Sequence, residues 1–227
     1  MKHAPWFITG TGTGTGKTVL TALLARFLRR AGHRVAALKP VCSGGRDDAR
    51  ALQSALAGGL SLDEINPWHF RAAIAPLLAA RRERRSVRRA DLTAQIRRRQ
   101  KQFDRLLVEG AGGLLSPLGE QVDARDLIAA LRARPIIVGR DVLGVVNDLR
   151  LTLAALPPAA RAAAVVVLMA PQRPDAATRT NARLLAEYFP AGRIFRIPWL
   201  GRPIDFEQGL KKARVRNSLG GILGDGA

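Results

Sequence analysis

A glycine-rich stretch near the amino terminus limits the folds open to this chain more than any other feature. It reads GTGTGTGKT over Gly10–Thr18, between an apolar segment at positions 5–9 and an amphipathic segment at positions 18–30. Glycines let successive backbone N–H groups turn inward around phosphate oxygens, a lysine neutralises the transferred phosphate, and a hydroxyl holds Mg²⁺. The closing Gly-Lys-Thr supplies that chemistry where a helix begins. The stretch therefore predicts a phosphate-binding loop between a strand and a helix.

The spacing within this stretch is one residue longer than the common phosphate-loop pattern. GxxxxGK[ST] places a glycine where this chain has Thr11, and Gly10 lies one residue further back. We still expect the loop backbone to cradle a nucleotide. The candidate nucleotide-binding residues in the loop are Gly12, Thr13, Gly14, Thr15, Gly16, Lys17 and Thr18.

Short apolar segments alternate with helical patterns along the rest of the chain. Strands are predicted at 5–9, 33–40, 105–109, 134–140, 162–169 and 194–198, and helices at 18–30, 47–60, 91–103, 147–156 and 178–188. This order predicts a three-layer α/β fold with a mostly parallel sheet flanked by helices. We expect residues 1–227 to form one domain, with a glycine-rich tail that is mobile from about residue 215. Ligands of such sheets bind beyond the carboxyl ends of the strands.

Chemically distinctive residues follow several predicted strands. Glu109 ends one strand and opens the sequence EGAGG, and such a carboxylate beside a phosphate loop is typical of a Mg²⁺ ligand. The alternative is a buried acid satisfied by a turn. Lys39 ends the second strand in KPVCSG, and its convergence with Lys17 indicates an anionic substrate besides the nucleotide. Taken alone, Lys39 also fits an ordinary exposed lysine at a strand end.

Two further positions lie where helices begin. Asp47 and Asp48 open a helix, so they are candidate metal ligands or helix caps. The loop Leu143–Asn147 enters another helix, and its backbone donors are suited to a carboxylate. Cys42 is expected to be a packing residue, because no histidine occurs in an adjacent motif.

The composition is strongly basic. Lys and Arg total 37 against 18 Asp and Glu, a formal net charge of +19, which by itself suggests a nucleic-acid or membrane-surface partner. The motifs instead require small anions at Lys17 and Lys39, so we expect small-molecule substrates and neither a nucleic acid nor a membrane as partner. A hydrophobic fraction of 47% indicates a folded protein and not a disordered basic tail. The Arg-rich segment 81–101 is expected to be a solvated helix face.

Other classes of protein are excluded or disfavoured. A single cysteine cannot form an internal disulfide, and the three scattered histidines argue against a zinc site. No apolar run approaches the roughly 20 residues of a membrane span, and the amino terminus does not resemble a signal peptide. We expect a cytoplasmic protein.

In their order along the chain, these motifs resemble the dethiobiotin synthetase family. The matching segments are Gly10–Thr18, Lys39–Gly44 (KPVCSG), Asp48, Asn66–Phe70 (NPWHF), Val108–Gly113 (VEGAGG), Leu143–Asn147 (LGVVN) and Ile197–Leu200 (IPWL). The resemblance extends from Phe7 to about Leu200. It implies a fold like that of the P-loop NTPases and an ATP-dependent ligase of biotin biosynthesis. The implied reaction carboxylates 7,8-diaminononanoate with CO2 and closes a cyclic urea through a phosphorylated carbamate.

The resemblance also assigns roles to residues. It implies that Lys17 and Lys39 are catalytic, and that Thr18, Asp48 and Glu109 hold Mg²⁺, with ATP as co-substrate. Glu109 and Gly112 would contact the nucleotide. The implied substrate-binding residues are Thr13, Ser43, Gly112, Leu143, Gly144 and Asn147. The family implies a homodimer with interfacial active sites, in which the Leu143–Asn147 loop serves the neighbouring subunit.

Three positions depart from the family pattern. Gly12 stands where an Asp is usual, Asp148 where a His is usual, and Ala170 where an Asn often reads the nucleotide base. The base preference is therefore left open. Two alternatives remain, a P-loop amidoligase and a partitioning-type ATPase. Such an amidoligase carries an additional glutaminase domain, and we do not expect this chain to hold one. The partitioning-type ATPase carries a second lysine early in the phosphate loop, where this chain has only Thr and Gly.

Overall fold

A computed structural model describes residues 4–224 of the chain. Within that range the strands are β1 Trp6–Gly10, β2 Val35–Leu38, β3 Val41–Ser43, β4 Trp68–Phe70, β5 Arg105–Glu109, β6 Arg134–Arg140, β7 Val165–Met169 and β8 Ile194–Ile197. The helices are α1 Lys17–Arg30, α2 Asp47–Ala55, α3 Leu62–Ile65, α4 Pro76–Arg82, α5 Arg89–Gln100, α6 Ala124–Leu131, α7 Val145–Ala155, α8 Pro158–Ala163, α9 Ala176–Leu185, α10 Phe206–Lys211 and α11 Ala213–Leu223. A short 3₁₀ helix covers Ala191–Arg193.

The main sheet is parallel throughout. Its strand order is β2-β5-β1-β6-β7-β8, and β1 pairs with β5 on one side and β6 on the other. All six carboxyl ends therefore meet at one edge, where the turns after β1, β2 and β5 carry the predicted site residues. Strands β3 and β4 form a separate parallel pair. The fold class predicted from the sequence is confirmed.

Helix α1 illustrates why the sequence folds as it does around the phosphate loop. Leu20, Leu23, Leu24 and Leu28 recur at helical spacing and are buried against the sheet. The helix begins directly after Gly16. Its last turn carries Arg29 and Arg30, whose positive charges interact favourably with the negative end of the helix dipole. The apolar stripe thus anchors the helix whose amino terminus faces the loop.

Most predicted strands and helices occur within a few residues of their expected bounds, and one strand and one helix differ from the prediction. The strand expected at 162–169 begins only at Val165, because Pro158 starts helix α8, which continues to Ala163. The helix expected at 47–60 ends at Ala55. Ala57 and Gly58 have φ of 52° and 77°, a left-handed conformation that a helix cannot continue through.

The expectation of a mobile tail from about residue 215 is wrong for the part that the structure describes. Residues 213–223 form helix α11, whose Val215, Leu219, Ile222 and Leu223 are buried. A Cβ at Gly221 would lie 2.4 Å from the Phe195 ring, so this glycine lets the helix approach β8 closely. The glycines there serve packing, not disorder. Residues 225–227 lie outside the described range.

The Arg-rich segment 81–101 comprises the end of α4, the turn after it and α5. Most of its side chains are exposed. Arg81 pairs with Glu120, Arg88 with Asp91, and Arg99 with Glu64. In the part of the chain from residue 4 to residue 224, no helix has both the length and the apolar character needed to cross a membrane.

Candidate active site

The phosphate loop closes upon itself between β1 and α1. Gly14 and Gly16 have φ of 72° and 95°, values that favour glycine. At Gly10 a Cβ would lie 2.6 Å from the Thr15 hydroxyl, so only glycine fits where the loop leaves the strand. Lys17 Nζ donates a hydrogen bond to Gly12 O at 2.6 Å, which folds the lysine back across the loop. The loop is thus preformed, with its cation already facing the space it encircles.

A second cluster joins the ends of β2 and β5 to the starts of α1 and α2. Lys39 Nζ lies 2.7 Å from Glu109 Oε1 and 2.9 Å from Asp48 Oδ2. It also donates to Gly110 O at 3.1 Å. The Thr18 hydroxyl lies 2.8 Å from both Asp48 Oδ1 and Glu109 Oε1. Thr18, Lys39, Asp48 and Glu109, which lie far apart in the sequence, therefore form one cluster.

Burial and pairing set the charges of this cluster. Burial by itself lowers the pKa of Lys39, but the carboxylates of Glu109 and Asp48 outweigh it and raise that pKa above its usual value. Burial raises the pKa of Asp48, yet the Lys39 ammonium holds it below its ordinary range. Burial, and then the charge of Lys39, lower the pKa of Lys17 to about 8. Lys39 is therefore a fixed cation, whereas Lys17 lacks a carboxylate of its own.

The oxygen atoms of the cluster fit Mg²⁺. Thr18 has one hydroxyl proton for two carboxylate neighbours, and Glu109 Oε2 is buried without a hydrogen-bond partner. Such hard oxygen ligands suit Mg²⁺, which takes its remaining ligands from phosphate and water. Within residues 4–224 no group of three His, Cys, Asp or Glu side chains forms a self-contained metal site. The side chain of Asp47 is 92% exposed and pairs with Arg50, so the structure brings Asp48 to the cluster instead.

A cavity of about 830 Å³ opens beside these residues. Predicted site residues in its lining are Thr13, Gly14, Thr15, Gly16, Lys17, Thr18, Lys39, Ser43, Asp48 and Gly112. Ala73–Pro76 and Pro117 form the opposite wall. Cys42 also lines it, but burial raises the pKa of its thiol, which donates to Asn66 Oδ1. That environment agrees with a packing role for the cysteine.

A second cavity of about 330 Å³ lies on the other side of the phosphate loop. Both cavities share Gly14, Thr15 and Gly16, but the second one is walled by the ends of β6, β7 and β8. Its lining includes Arg140, Met169, Ala170, Pro171, Gln172, Pro198, Trp199, Leu200 and Arg202. Because Ala170 is among its lining residues, we call this cavity the base side of the phosphate loop. Ala170 lies where the family pattern suggests a base reader.

The Leu143–Asn147 loop lies apart from both cavities within a single chain. Leu143 is 85% exposed, and Gly144 caps α7 with φ of 94°. Asn147 Nδ2 makes only a long contact of 3.4 Å with Asp148 Oδ1. The structure therefore does not bring Leu143, Gly144 or Asn147 to the substrate cavity of their own subunit. Their predicted role toward a neighbouring subunit stays a prediction.

Sequence reasoning missed a buried polar network next to this loop. Asp141 is fully buried, and its Oδ2 pairs with Arg196 Nη2 at 2.7 Å. Its Oδ1 accepts from Asn181 Nδ2, which also donates to Val142 O. The network fixes the turn between β6 and α7 to α9 and β8. An aspartate directly after an apolar strand was the available signal.

Comparisons with known proteins give the geometry a family context. A protein-family model described as an AAA domain matches residues 5–203. The chain is 36% identical over 223 residues to the ATP-dependent dethiobiotin synthetase BioD of Anaeromyxobacter dehalogenans, with 96% of each chain covered. It is 35% identical over 147 residues to the protein of the same name from Methanococcus vannielii, which covers 65% of this chain and 70% of that protein.

Solved structures with the same architecture are more distant in sequence. The MinD cell division protein of Aquifex aeolicus has a TM-score of 0.62 at 15% identity, with 99% of each chain covered. A pNOB8 ParA bound to nonspecific DNA has a TM-score of 0.57 at 13% identity, covering 97% of this chain and 98% of that chain. Identities this low show a shared fold alone.

The curated relatives and the ordered motifs agree. A relative above 30% identity that is covered almost end to end shares more than a fold with this chain. The resemblance inferred from the motifs is thereby confirmed, together with the interpretation as an ATP-dependent ligase. The chain belongs to the ATP-dependent dethiobiotin synthetase family.

Proposed function

We propose that this protein forms dethiobiotin from 7,8-diaminononanoate, CO2 and ATP in the cavity beside the phosphate loop. The observation that carries the proposal is that Lys17, Thr18, Lys39 and Asp48 line this cavity, with Glu109 buried behind them in contact with Lys39 and Thr18. Two lysines suit the two anions of the reaction, the carbamate and the transferred phosphoryl group. The carboxylates and the hydroxyl suit the metal that accompanies a nucleotide.

The reaction proceeds in three steps. An amine nitrogen attacks CO2 and loses a proton, which leaves a carbamate. A carbamate oxygen then attacks the γ-phosphorus of ATP, and ADP leaves. The second amine attacks the carbonyl carbon, phosphate leaves with the C–O bond electrons, and a proton is released as the cyclic urea closes. Because little covalent work falls to the protein, catalysis rests on positioning and charge stabilisation.

The residues of the cavity divide this work. Lys17 exchanges its bond to Gly12 O for the terminal phosphate, and its ammonium balances the charge that develops there. Lys39 is held by Glu109 and Asp48, so it presents a fixed positive charge to the carbamate. The Ser43 hydroxyl and the backbone of Gly112 line the same space and orient the substrate.

Mg²⁺ is the cation this oxygen set would take. Thr18, Asp48 and Glu109 would hold it, and when bound it would neutralise the phosphate oxygens. The unpaired Glu109 Oε2 supports this assignment. The chain's own contribution is to keep the three oxygen donors together through Lys39 and the amino terminus of α1.

We also propose a homodimer, as the family resemblance implies, and exposed apolar side chains support this proposal. Leu143 and Leu151 of the α7 region are 85% and 63% exposed, and Tyr188 beyond α9 is 55% exposed. Large exposed apolar side chains on neighbouring helices indicate an interface. The family resemblance assigns Asn147 to the substrate of the neighbouring subunit, and a second copy on this face is the arrangement we propose for that role. Leu151→Glu tests this: we expect a monomer by light scattering and loss of diaminononanoate turnover.

The activity itself is tested directly. Purified protein is incubated with diaminononanoate, bicarbonate, ATP and Mg²⁺, and dethiobiotin is measured by mass spectrometry. We expect product and ADP in equal amounts, and neither with Lys17→Ala. Steady nucleotide hydrolysis without dethiobiotin would refute the proposal. A cytoplasmic location stays a prediction, and no described contact favours the partitioning or amidoligase alternatives.

A further inference from the structure

Asn66 is a buried polar side chain that has no part in the reaction as described so far. It is 1% exposed and opens the segment NPWHF, one of the motifs shared with the family. A buried carboxamide needs hydrogen-bond partners, because an unpaired polar group away from water is costly. Its partners therefore show which part of the molecule it serves.

The carboxamide of Asn66 contacts three residues of the segment 39–46, which follows β2. Its Nδ2 donates to Lys39 O at 2.7 Å. Its Oδ1 accepts from Cys42 Sγ at 3.1 Å and from Arg46 Nε at 3.2 Å. One side chain thus ties together both ends of this segment.

The backbone of Lys39 is held by the same short region. Strand β2 ends at Leu38, and Pro40 has no N–H with which to extend the hydrogen bonds of the sheet. Lys39 N–H donates to Ile65 O at 2.9 Å, and Lys39 O accepts from Asn66. Two consecutive residues at the end of α3 therefore hold both backbone hydrogen-bonding groups of the lysine.

Arg46 connects Asn66 to the acid on the other side of the Lys39 ammonium group. It directly precedes α2, and its Nη2 donates to Asn66 O at 2.9 Å and to Leu62 O at 3.0 Å. Asp48 lies in the first turn of α2, 2.9 Å from Lys39 Nζ. Asn66 is thus bonded to both backbone segments whose side chains form this ion pair.

We propose that Asn66 is a positioning residue for the ring closure, because it sets the place of Lys39 relative to Asp48. The inference rests on the proposed function, in which the charge of Lys39 faces the carbamate. Asn66 lies outside the cavity lining that the described residues form, so its effect on the reaction passes through Lys39. A misplacement of about 1 Å at a reacting centre costs on the order of 10²-fold in rate.

Asn66→Asp tests this most sharply. It keeps the size of the side chain and the acceptor for Arg46, but it replaces the donor to Lys39 O with an oxygen. We expect the kcat for dethiobiotin formation to fall roughly 10- to 100-fold. Calorimetry with ADP should show an unchanged number of sites and an unchanged Kd, because the phosphate loop is not part of this network. Asn66→Ala carries the same expectations if the aspartate variant does not fold.

Asp63→Asn is the matched control. Asp63 lies 2.8 Å from Arg46 Nη2, but its side chain is 87% exposed, and an exposed ion pair contributes little. Its loss leaves the bonds between Arg46 and Asn66 in place, so kcat should not change.

A double-mutant cycle separates positioning from a general loss of stability. In Lys39→Met, the further change Asn66→Asp should not lower kcat again, because the side chain through which Asn66 acts is gone. An equal fall in both backgrounds would overturn the inference. So would a fall in kcat that is matched by a fall in the number of ADP sites, since that result indicates unfolded protein.

Failure of the inference is distinguishable from failure of the proposed function. Equal dethiobiotin formation by the unaltered protein and by Asn66→Asp would refute the inference and leave the proposed function intact. ADP release without dethiobiotin by the unaltered protein would refute the proposed function. The same cycle measured on ADP release would then decide whether Asn66 acts through Lys39.

Discussion

The two cavities on either side of the phosphate loop balance their charges in opposite ways. At the phosphate side, Lys39 is enclosed by Glu109 and Asp48, and each charge holds the others in place. At the base side, Arg140 and Arg202 have no partner among the described residues. The first arrangement is organised before substrate arrives, as charge stabilisation in catalysis requires. The second has no acidic side chain in its lining to balance the two arginines.

The two sides of the loop therefore differ in how many residue types can serve at each position. Phosphoryl transfer needs a cation and oxygen ligands at fixed distances, so few residue types serve at Lys39 or Glu109. Base binding tolerates many side chains, because stacking is shared by all bases. The variants below probe that contrast, beginning with the paired side.

Replacement of Lys39 by methionine should have the largest effect. Loss of the fixed cation is expected to reduce dethiobiotin formation by about 10²- to 10³-fold, the scale observed when one stabilising donor is removed. The kcat of the purified variant measures this.

The same variant leaves Glu109 buried without its partner and should lower stability. Lys39→Met/Glu109→Gln removes the stranded charge, so its thermal midpoint should recover while its activity does not. Near-normal turnover in Lys39→Met would contradict a catalytic role for this lysine.

The buried pair next to the base side should matter for folding more than for chemistry. Asp141→Ala removes the carboxylate that holds Arg196 and Asn181, and we expect a loss of about 2–3 kcal/mol in the free energy of unfolding. Urea denaturation measures it. The exposed Asp91, paired with Arg88, is the control, and Asp91→Ala should cost at most about 1 kcal/mol. Equal costs for both variants would argue against a special role for the network.

A milder change is expected when a candidate metal ligand loses only its charge. Glu109→Gln should raise the Mg²⁺ concentration for half-maximal activity by about tenfold, because ligand charge sets the affinity for such cations. Titration of activity with Mg²⁺ at saturating nucleotide checks this. Glu120→Gln, at an exposed carboxylate paired with Arg81, should leave the titration unchanged. An unshifted curve for Glu109→Gln would remove Glu109 from the ligand set.

The smallest effect is expected at Ala170. Ala170→Asn introduces a carboxamide that can accept from the adenine amino group, so the ratio of kcat/KM for ATP to that for GTP should rise roughly three- to tenfold. Competition between the two nucleotides in one assay measures this ratio. The matched variant Ala170→Val, which adds bulk without an acceptor, should not raise it. The same rise with valine would indicate a packing effect.

The sequence predicted the phosphate side far better than the base side. Lys39 and Glu109 lie at the ends of apolar strands, and Lys17 closes the loop that follows a third; the parallel pairing of these strands was itself predictable, so the convergence of the three side chains followed. The base cavity is built from turns after β6, β7 and β8, and no motif links Arg140 to Trp199 or Arg202. Their proximity arises from tertiary structure alone.

The sequence failed to predict local structure where the composition was misleading and where strands were very short. The glycines near the carboxyl terminus suggested disorder, yet Leu219 and Ile222 share a face with other apolar residues that α11 buries. Strands β3 and β4 have three residues each, too few for a periodic pattern. The family pattern favoured Asp48 over Asp47, and the structure supplies the physical reason: Asp48 contacts Lys39 and Thr18, whereas Asp47 pairs with Arg50.

The position of Lys39 between two acids means that the fold carries its own counter-ion. Without it, the buried carboxylate of Glu109 and its neighbour Asp48 would repel each other whenever no metal ion lay between them. With it, we expect the folded structure around these acids not to depend on a bound metal ion. Chelators should accordingly stop turnover while leaving the melting temperature where it was.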